Sequence, residues 1–250
     1  MMRGRPVIAV VPARGDSKGI PRKNLYRLGG VALGMRAVQL ARSVPAVDRV
    51  YVSTDDTELY ALAQKDGSAT PSPRPAELAS DKSRTIAVMQ HLLEERVLSA
   101  DAIVLLLQPT SPLRSQADLE AVLKLLDDNW DEADAVISVG KIDGPHPYKA
   151  QVIENGALRS LIGLDAAVPR QSLPATYLPN GAFYLGKLDV LLQEDTFMPR
   201  RSLAFVMPEI ASINLDGPLD MLLLEAVLAK GLFTLDDGAS TLEPPEGKAP

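Results

Sequence analysis

The sequence predicts an α/β fold in which a mostly parallel sheet carries helices on both faces. Short β-branched runs such as Val7–Val11 alternate with stretches of helical periodicity such as Leu33–Ser43. The run Ala102–Leu107 is apolar at every position, which is typical of a strand buried on both faces of a sheet. Repeated strand–helix–strand units of this kind favour parallel pairing and a three-layer arrangement.

The predicted elements follow one another along the chain. Strands are expected at Val7–Val11, Arg49–Ser53, Ala102–Leu107, Ala133–Val139, Gly181–Leu185 and Leu203–Met207. Helices are expected at Leu33–Ser43, Thr57–Asp66, Thr85–Leu98, Asp118–Leu126 and Leu219–Ala229. Thr54 or Asp55 is placed to cap the second helix. The prolines within Thr70–Ser80 exclude regular structure in that stretch.

We expect a single domain over residues 1–235, with an insertion at residues 141–180. The insertion contains five prolines, short alternating stretches at Ala150–Ile153 and Ala157–Ser160, and a turn at Asn155–Gly156. These features indicate a β-rich arm outside the central sheet. Residues 236–250 are polar and proline-bearing, so a disordered tail is expected there.

The composition of the 250 residues excludes several classes of function. The absence of cysteine excludes disulfides, thiol nucleophiles and cysteine-based zinc sites, and fits a cytoplasmic protein. The two histidines, His91 and His146, are too few for a histidine-rich metal site. A net charge of −6 argues against a nucleic-acid partner. No apolar run approaches the roughly 20 residues of a membrane span, so no membrane partner is expected either.

The most informative stretch of the chain is the loop that follows the first predicted strand. Arg14–Asn24 contains two glycines and four cationic side chains, those of Arg14, Lys18, Arg22 and Lys23. A loop of this kind at the carboxyl end of a parallel strand suits a polyanion such as a nucleoside triphosphate. It matches neither the Walker A pattern nor the G-x-G-x-x-G fingerprint, which favours nucleotidyl transfer. The alternative interpretation is a solvated basic loop.

Two further polar loops should meet the first at the same edge of the sheet, because ligands of open parallel sheets bind at the carboxyl ends of the strands. These loops are Ser53–Asp56 and Gln108–Pro112, which could instead be a helix cap and an ordinary turn. Arg74 could pair with the edge of a base, or be a surface arginine. Asn214 and Asp216 have the spacing of an oxygen-ligated Mg²⁺ site, although Asp216 could instead cap the helix after Pro218.

Four stretches carry a resemblance to a known family. They are RGDSKGIPRKN (Arg14–Asn24), RPAELASD (Arg74–Asp81), LLQPTSPLR (Leu106–Arg114) and PNGAFYL (Pro179–Leu185). With Val52–Asp55 and Pro169–Gln171, they make the chain resemble the acylneuraminate cytidylyltransferases over about residues 6–230. That family makes CMP-activated sialic acids and related nonulosonic acids. The resemblance implies a GT-A-like Rossmannoid nucleotidyltransferase fold, CTP as substrate, a Mg²⁺ requirement, and a homodimer in which the 141–180 arm reaches the partner's cleft.

The resemblance also implies residue roles. Side chains matching the triphosphate-binding positions are Arg14, Ser17, Lys18 and Lys23, with Asn24 nearby. Those matching the cytosine- and ribose-binding positions are Arg74, Ser83 and Thr85. Those matching the sugar pocket are Gln108, Asn180 and Tyr184. Lys18, Arg170 and Asp216 match catalytic positions, and Asp216 also matches a metal ligand. The family usually has D-x-D where this chain has Asn214-Leu215-Asp216, which leaves Asp216 as the safer metal ligand.

The resulting hypothesis is a cytidylyltransferase reaction. The anomeric hydroxyl of a nonulosonic acid would attack the α-phosphate of CTP, with Asp216 or a metal-bound water as the base. One alternative is a CMP-Kdo or amino-Kdo synthetase, which uses an eight-carbon sugar acid. Another is a relative that binds CTP without catalysis, because Asn214 removes a charge from the metal site.

Overall fold

Strands and helices alternate in the computed structural model, which describes residues 1–17, 19–80, 82–142, 144–163, 168–238 and 240–245. The strands are β1 (Val7–Pro12), β2 (Arg27–Leu28), β3 (Val31–Ala32), β4 (Arg49–Ser53), β5 (Ile103–Leu106), β6 (Ala135–Lys141), β7 (Gln151–Glu154), β8 (Ala157–Ser160), β9 (Tyr177–Lys187), β10 (Ser202–Met207) and β11 (Leu242–Glu243). The α-helices are α1 (Leu33–Ser43), α2 (Thr57–Asp66), α3 (Ala76–Ala79), α4 (Thr85–Glu94), α5 (Gln116–Asp128), α6 (Leu188–Gln193) and α7 (Pro218–Ala229).

The central sheet has six strands in the order β10–β6–β9–β5–β1–β4. All neighbouring pairs are parallel except those of β9, which runs antiparallel to both β5 and β6. The prediction of a mostly parallel sheet is confirmed. Because β1 lies between β4 and β5 and is parallel to both, the loops that follow these three strands leave the same edge of the sheet.

Apolar side chains cover both faces of the sheet, which confirms the predicted three layers. Alternate residues of β1 point to opposite sides: Val7, Ala9 and Val11 pack with α1, α2 and α5, whereas Ile8 and Val10 pack with α4 and α6. A third cluster lies beneath α7 and joins it to β2 and to the segment 213–215. Three apolar clusters therefore hold the elements around the cleft described below.

Two local features between β4 and α4 differ from the expectation. The N-cap of α2 is Asp56, whose Oδ1 accepts the amides of Glu58 and Leu59, so neither Thr54 nor Asp55 is the cap. The proline-rich stretch contains one helical turn, α3, which begins directly after Pro75. A proline just before a helix is compatible with its first turn, because the first amides have no partner within the helix.

The predicted arm is only partly separate from the sheet. Its centre is the β7–β8 hairpin, closed at Asn155–Gly156 with positive φ angles of 51° and 81°. Its two ends belong to the central sheet, however, because Lys141 ends β6 and pairs with Tyr177 at the start of β9. Pro179 and Asn180 interrupt the apolar pattern, which is why the sequence suggested a strand beginning only at Gly181.

The expected disordered tail also contains regular structure. Leu242–Glu243 form β11 and pair with β2, extending the β2–β3 ladder to three strands. Residues 246–250 lie outside the described residues. Among the helices that the structure describes, none combines the length and the apolar character needed to cross a membrane.

A buried ion-pair network lies where β6 begins and β9 ends. The ammonium group of Lys187 donates to the carbonyl oxygens of Trp130 and Ala133 and to Asp134 Oδ1. Arg201 donates to both oxygens of Asp134. These bonds, those from Arg201 above all, hold the pKa of Asp134 below its usual value. The network fixes β6, β9 and the start of β10 relative to one another.

We expect Lys187→Met to lower the free energy of unfolding by about 3 kcal/mol, because it leaves one buried and one part-buried carbonyl without this donor and Asp134 with one cation fewer. Urea denaturation measures the change. Lys124→Met is the matched control, since it removes an exposed ion pair with Asp128 and should cost less than about 0.5 kcal/mol. Equal losses in the two variants would contradict a stabilising role for the buried network.

Candidate active site

A polar cleft of about 430 Å³ lies at the carboxyl ends of β1 and β5 and beside the end of β4. Most of the site residues predicted from the sequence line it: Arg14, Ser17, Lys23, Asn24, Arg74, Ser83, Thr85, Gln108, Asn214 and Asp216. The predicted convergence of the first loop and the β5 loop is confirmed. Ser53 at the end of β4 and Asp55 in the loop after it contribute through hydrogen bonds with Arg74 and Gly15.

The loop after β1 is shaped by hydrogen bonds to its own backbone. Gly15 N donates to Asp55 Oδ1 at 2.9 Å, and Asn24 Nδ2 donates to the carbonyl of Arg14 at 2.8 Å. The side chain of Asp55 therefore fixes the backbone of the first loop. The sequence did not indicate this role, because it made Asp55 a candidate helix cap. Arg22 pairs with Glu58 of α2, so this cation of the loop is engaged outside the cleft.

Lys23 ties the first loop to the segment before α7. Its side chain is only 10% exposed, and its ammonium donates to the carbonyl of Leu215 and lies 3.4 Å from Asp216 Oδ1. Burial lowers the pKa of Lys23, and the Asp216 carboxylate opposes this shift. The first loop and the segment before α7 also approach each other closely at Gly19. A methyl group on Gly19 would collide with the carbonyl oxygen of Asp216.

Asp216 presents its carboxylate to the cleft. The side chain is 73% exposed and accepts a hydrogen bond from Asn214 Nδ2 at 2.9 Å. The suggested capping role belongs to Asp220, whose Oδ2 accepts the amides of Asp216 and Gly217 at the start of α7. The alternative in which Asp216 caps this helix is therefore wrong, and its exposed carboxylate lines the cleft.

The donors in the cleft fit a magnesium ion that is shared with a substrate. Within the described residues, no group of three or more Asp, Glu or His side chains is arranged to enclose a metal. Mg²⁺ is commonly held by one or two carboxylates together with substrate phosphates, and not by a complete protein cage. The exposed carboxylate of Asp216, beside the cationic first loop, suits that mode of binding.

Arg74 and Ser83 add a buried arginine and a hydroxyl to the lining of the cleft. Arg74 donates to the side chain and the carbonyl of Ser53, at 3.1 and 2.6 Å. Burial lowers the pKa of Arg74 to about 10, so its guanidinium remains charged at neutral pH. The hydroxyl of Ser83 is buried and has no hydrogen-bond partner in the described part of the chain. These groups are placed to contact a polar ligand.

Two of the predicted sugar-pocket residues lie elsewhere. The amide of Asn180 is buried and bonds to Ser138, Ser212 and the sulfur of Met207, while Tyr184 packs against Phe197 with ring centroids 6.1 Å apart. Both belong to β9 of the central sheet, and both side chains pack against neighbouring residues of the fold. Of the three, only Gln108 lines the cleft.

Two predicted catalytic side chains cannot be placed. Lys18 lies outside the described residues, and so does the side chain of Arg170, whose backbone opens a short 3-10 helix in the arm. Six more residues line the cleft: Pro12, Leu78, Ser80, Val88, Pro109 and Thr110. Pro12 ends β1, Leu78 and Ser80 belong to the stretch that begins at Arg74, and Pro109 and Thr110 belong to the β5 loop. Of the six, only Val88 of α4 lies outside these segments.

An open α/β sheet with a polar, cation-bearing cleft at the carboxyl ends of its strands defines a nucleotide-binding protein class. The family model described as cytidylyltransferase matches residues 8–197, and the chain belongs to this family.

Individual relatives share fewer than a third of the aligned residues with this chain. The chain is 29% identical over 214 residues to an N-acylneuraminate cytidylyltransferase of Escherichia coli, covering 86% of this chain and 50% of the relative. It is 28% identical over 217 residues to a pseudaminic acid cytidylyltransferase of Campylobacter jejuni, covering 86% and 92%. The chain thus spans half the length of the first relative.

Similarity to solved structures supports the fold. The structure of CMP:2-keto-3-deoxy-manno-octonic acid synthetase complexed with CTP superposes with a TM-score of 0.64 at 19% identity, covering 90% of this chain and 99% of the other. At that identity the likeness shows a shared fold.

The packing of Gly19 on Asp216 yields a test of the cleft. We expect Gly19→Ala to weaken CTP binding by about tenfold or more, because the added methyl group forces the first loop away from the Asp216 segment. Isothermal titration with CTP measures the effect. Gly217→Ala is the matched control, since among the residues that the structure describes a methyl group there meets only Asp220 Oδ2, at 3.9 Å. Unchanged CTP affinity in Gly19→Ala would show that the two segments need not touch.

Proposed function

We propose that the protein transfers CMP from CTP to the anomeric hydroxyl of a nonulosonic acid and releases pyrophosphate. The observation that carries the proposal is the single cleft in which Arg14, Ser17 and Lys23 of the first loop meet the exposed carboxylate of Asp216. Cations beside one carboxylate suit a metal-bound triphosphate. The relatives that act on N-acylneuraminate and pseudaminic acid support this class of acceptor.

The proposed chemistry is an in-line displacement at the α-phosphorus. The anomeric oxygen forms a bond to phosphorus as the bond to the bridging oxygen breaks, and the electron pair leaves with pyrophosphate. The hydroxyl proton passes to Asp216 or to a water beside it. Arg14, Lys18 and Lys23 neutralise the charge that develops on the leaving group. When bound on Asp216, Mg²⁺ would supply further charge neutralisation on the triphosphate.

Recognition of the nucleoside is assigned to the part of the cleft that contains Arg74, Ser83 and Thr85. We propose that Arg74, fixed by Ser53, contacts the cytosine, and that Ser83 and Thr85 contact the base or the ribose. An arginine whose orientation is already set by two hydrogen bonds loses little conformational freedom when a ligand binds. The partnerless hydroxyl of Ser83 gains its hydrogen bond from the ligand.

We further propose a homodimer built by the arm. The β7–β8 hairpin exposes Ile153 and Leu158 by 76% and 71%, and a two-stranded hairpin is at best marginally stable alone in water. Apolar side chains on such a hairpin favour a protein partner. In this arrangement Arg170 of the arm would reach the cleft of the second copy and pair with the sugar carboxylate or the leaving group.

The first experiment measures pyrophosphate release from CTP and Mg²⁺ with a panel of nine-carbon acids and with Kdo. We expect turnover with CTP and a nonulosonic acid, and none with the other nucleotides. Turnover with Kdo alone would assign the chain to the eight-carbon synthetases, a possibility that the shared fold keeps open. CTP binding without any pyrophosphate release would support the non-catalytic alternative.

A subunit-mixing experiment tests the exchanged arm. Lys18→Ala and Arg170→Ala should each lose about 10²–10³ in turnover, because each removes a cation from the developing charge. If each site takes Lys18 from one copy and Arg170 from the other, mixed dimers contain one intact site, and randomly exchanged subunits should recover about a quarter of the original activity. Failure to recover activity, with exchange verified by mass spectrometry, would place both residues in the same subunit's site.

A further inference from the structure

The carboxylate of Asp216 is held from two sides. Asn214 Nδ2 donates to Oδ2 at 2.9 Å, and the Lys23 ammonium lies 3.4 Å from Oδ1. Although the side chain is 73% exposed, both of its oxygens therefore have a donor within the protein. The carboxylate does not depend on a bound cation for its orientation.

The contact with Asp216 also fixes which way the amide of Asn214 faces. An ionised carboxylate only accepts hydrogen bonds, so the amide must present its nitrogen to Asp216 and turn its oxygen away. That oxygen lies 3.4 Å from the hydroxyl of Ser111, which has a closer acceptor in the carbonyl of Asn180, at 2.7 Å. A metal ligand would need the opposite orientation, with the amide oxygen beside the Asp216 carboxylate.

We propose that Asn214 is a positioning residue that orients Asp216 through this hydrogen bond, and that it is not a metal ligand. The inference rests on the proposed function, in which Asp216 acts at the reacting phosphate. An aspartate at position 214 could not donate this bond and would place two negative charges side by side, a repulsion that a bound metal ion would offset. In this chain the Asp216 carboxylate is therefore oriented by the amide of Asn214 and not by a metal ion.

Direct binding of Mn²⁺ to the full chain, measured by electron paramagnetic resonance without nucleotide or sugar, tests the proposal. We expect Asn214→Ala to bind Mn²⁺ within about twofold of the wild type, because no ligand is lost. Asn214→Asp should bind it about tenfold more tightly, because a second carboxylate is added. Gln64→Glu, which makes the same amide-to-carboxylate change on the exposed surface of α2, controls for added charge and should match the wild type.

A fivefold or greater loss of Mn²⁺ affinity in Asn214→Ala would overturn the proposal by making Asn214 a ligand. A failure of Asn214→Asp to bind more tightly would also overturn it. Kinetics give the second readout: Asn214→Ala should lower kcat about tenfold while the KM for CTP stays within about twofold, since orientation is lost and binding is kept. The Mn²⁺ titration needs no acceptor sugar, so it stands even if no nonulosonic acid is turned over.

Discussion

The cleft depends on the burial of one ammonium group. Lys23 belongs to the first loop, yet its charge is satisfied by Leu215 and Asp216, which lie almost at the other end of the domain. A buried ammonium without oxygen partners would be costly. The first loop therefore keeps this conformation only when the segment before α7 lies against it. The close approach of Gly19 to the Asp216 carbonyl allows the two segments to meet without a gap.

The parallel sheet makes this junction possible by bringing three loops to one edge. β1 pairs with β4 on one side and with β5 on the other, and residues at the carboxyl ends of β4 and β5 hold the parts of the cleft in place. Asp55 after β4 holds Gly15, Ser53 holds Arg74, and the carbonyl of Thr110 after β5 accepts the amide of Leu215. The first loop, Arg74 and the segment before α7 are thus each held by a residue at the end of β4 or in the loops after β4 and β5.

The sequence predicted much of this arrangement because the periodicity of each segment, and the alternation of strands with helices along the chain, can be read locally. Leu33–Ser43, Arg49–Ser53 and Thr57–Asp66 have the same bounds in the structure as in the prediction. The differences arise where a distant partner decides: Asn180 looked like a ligand-facing residue, but the antiparallel β9 enters between β5 and β6 and buries its amide against Ser138. β11 was missed because its pairing with β2 joins the two ends of the chain.

The position of Asp216 has a consequence for the charge of the cleft. A site with two adjacent carboxylates repels an incoming triphosphate until a cation is bound between them. Here the neighbour of Asp216 is a neutral amide and Lys23 lies against the carboxylate, so the cations Arg14 and Arg74 face an otherwise nearly neutral wall. We expect such a wall to accept a polyanion before any metal is present, so in the proposed mechanism the divalent cation binds more tightly together with the nucleotide than ahead of it.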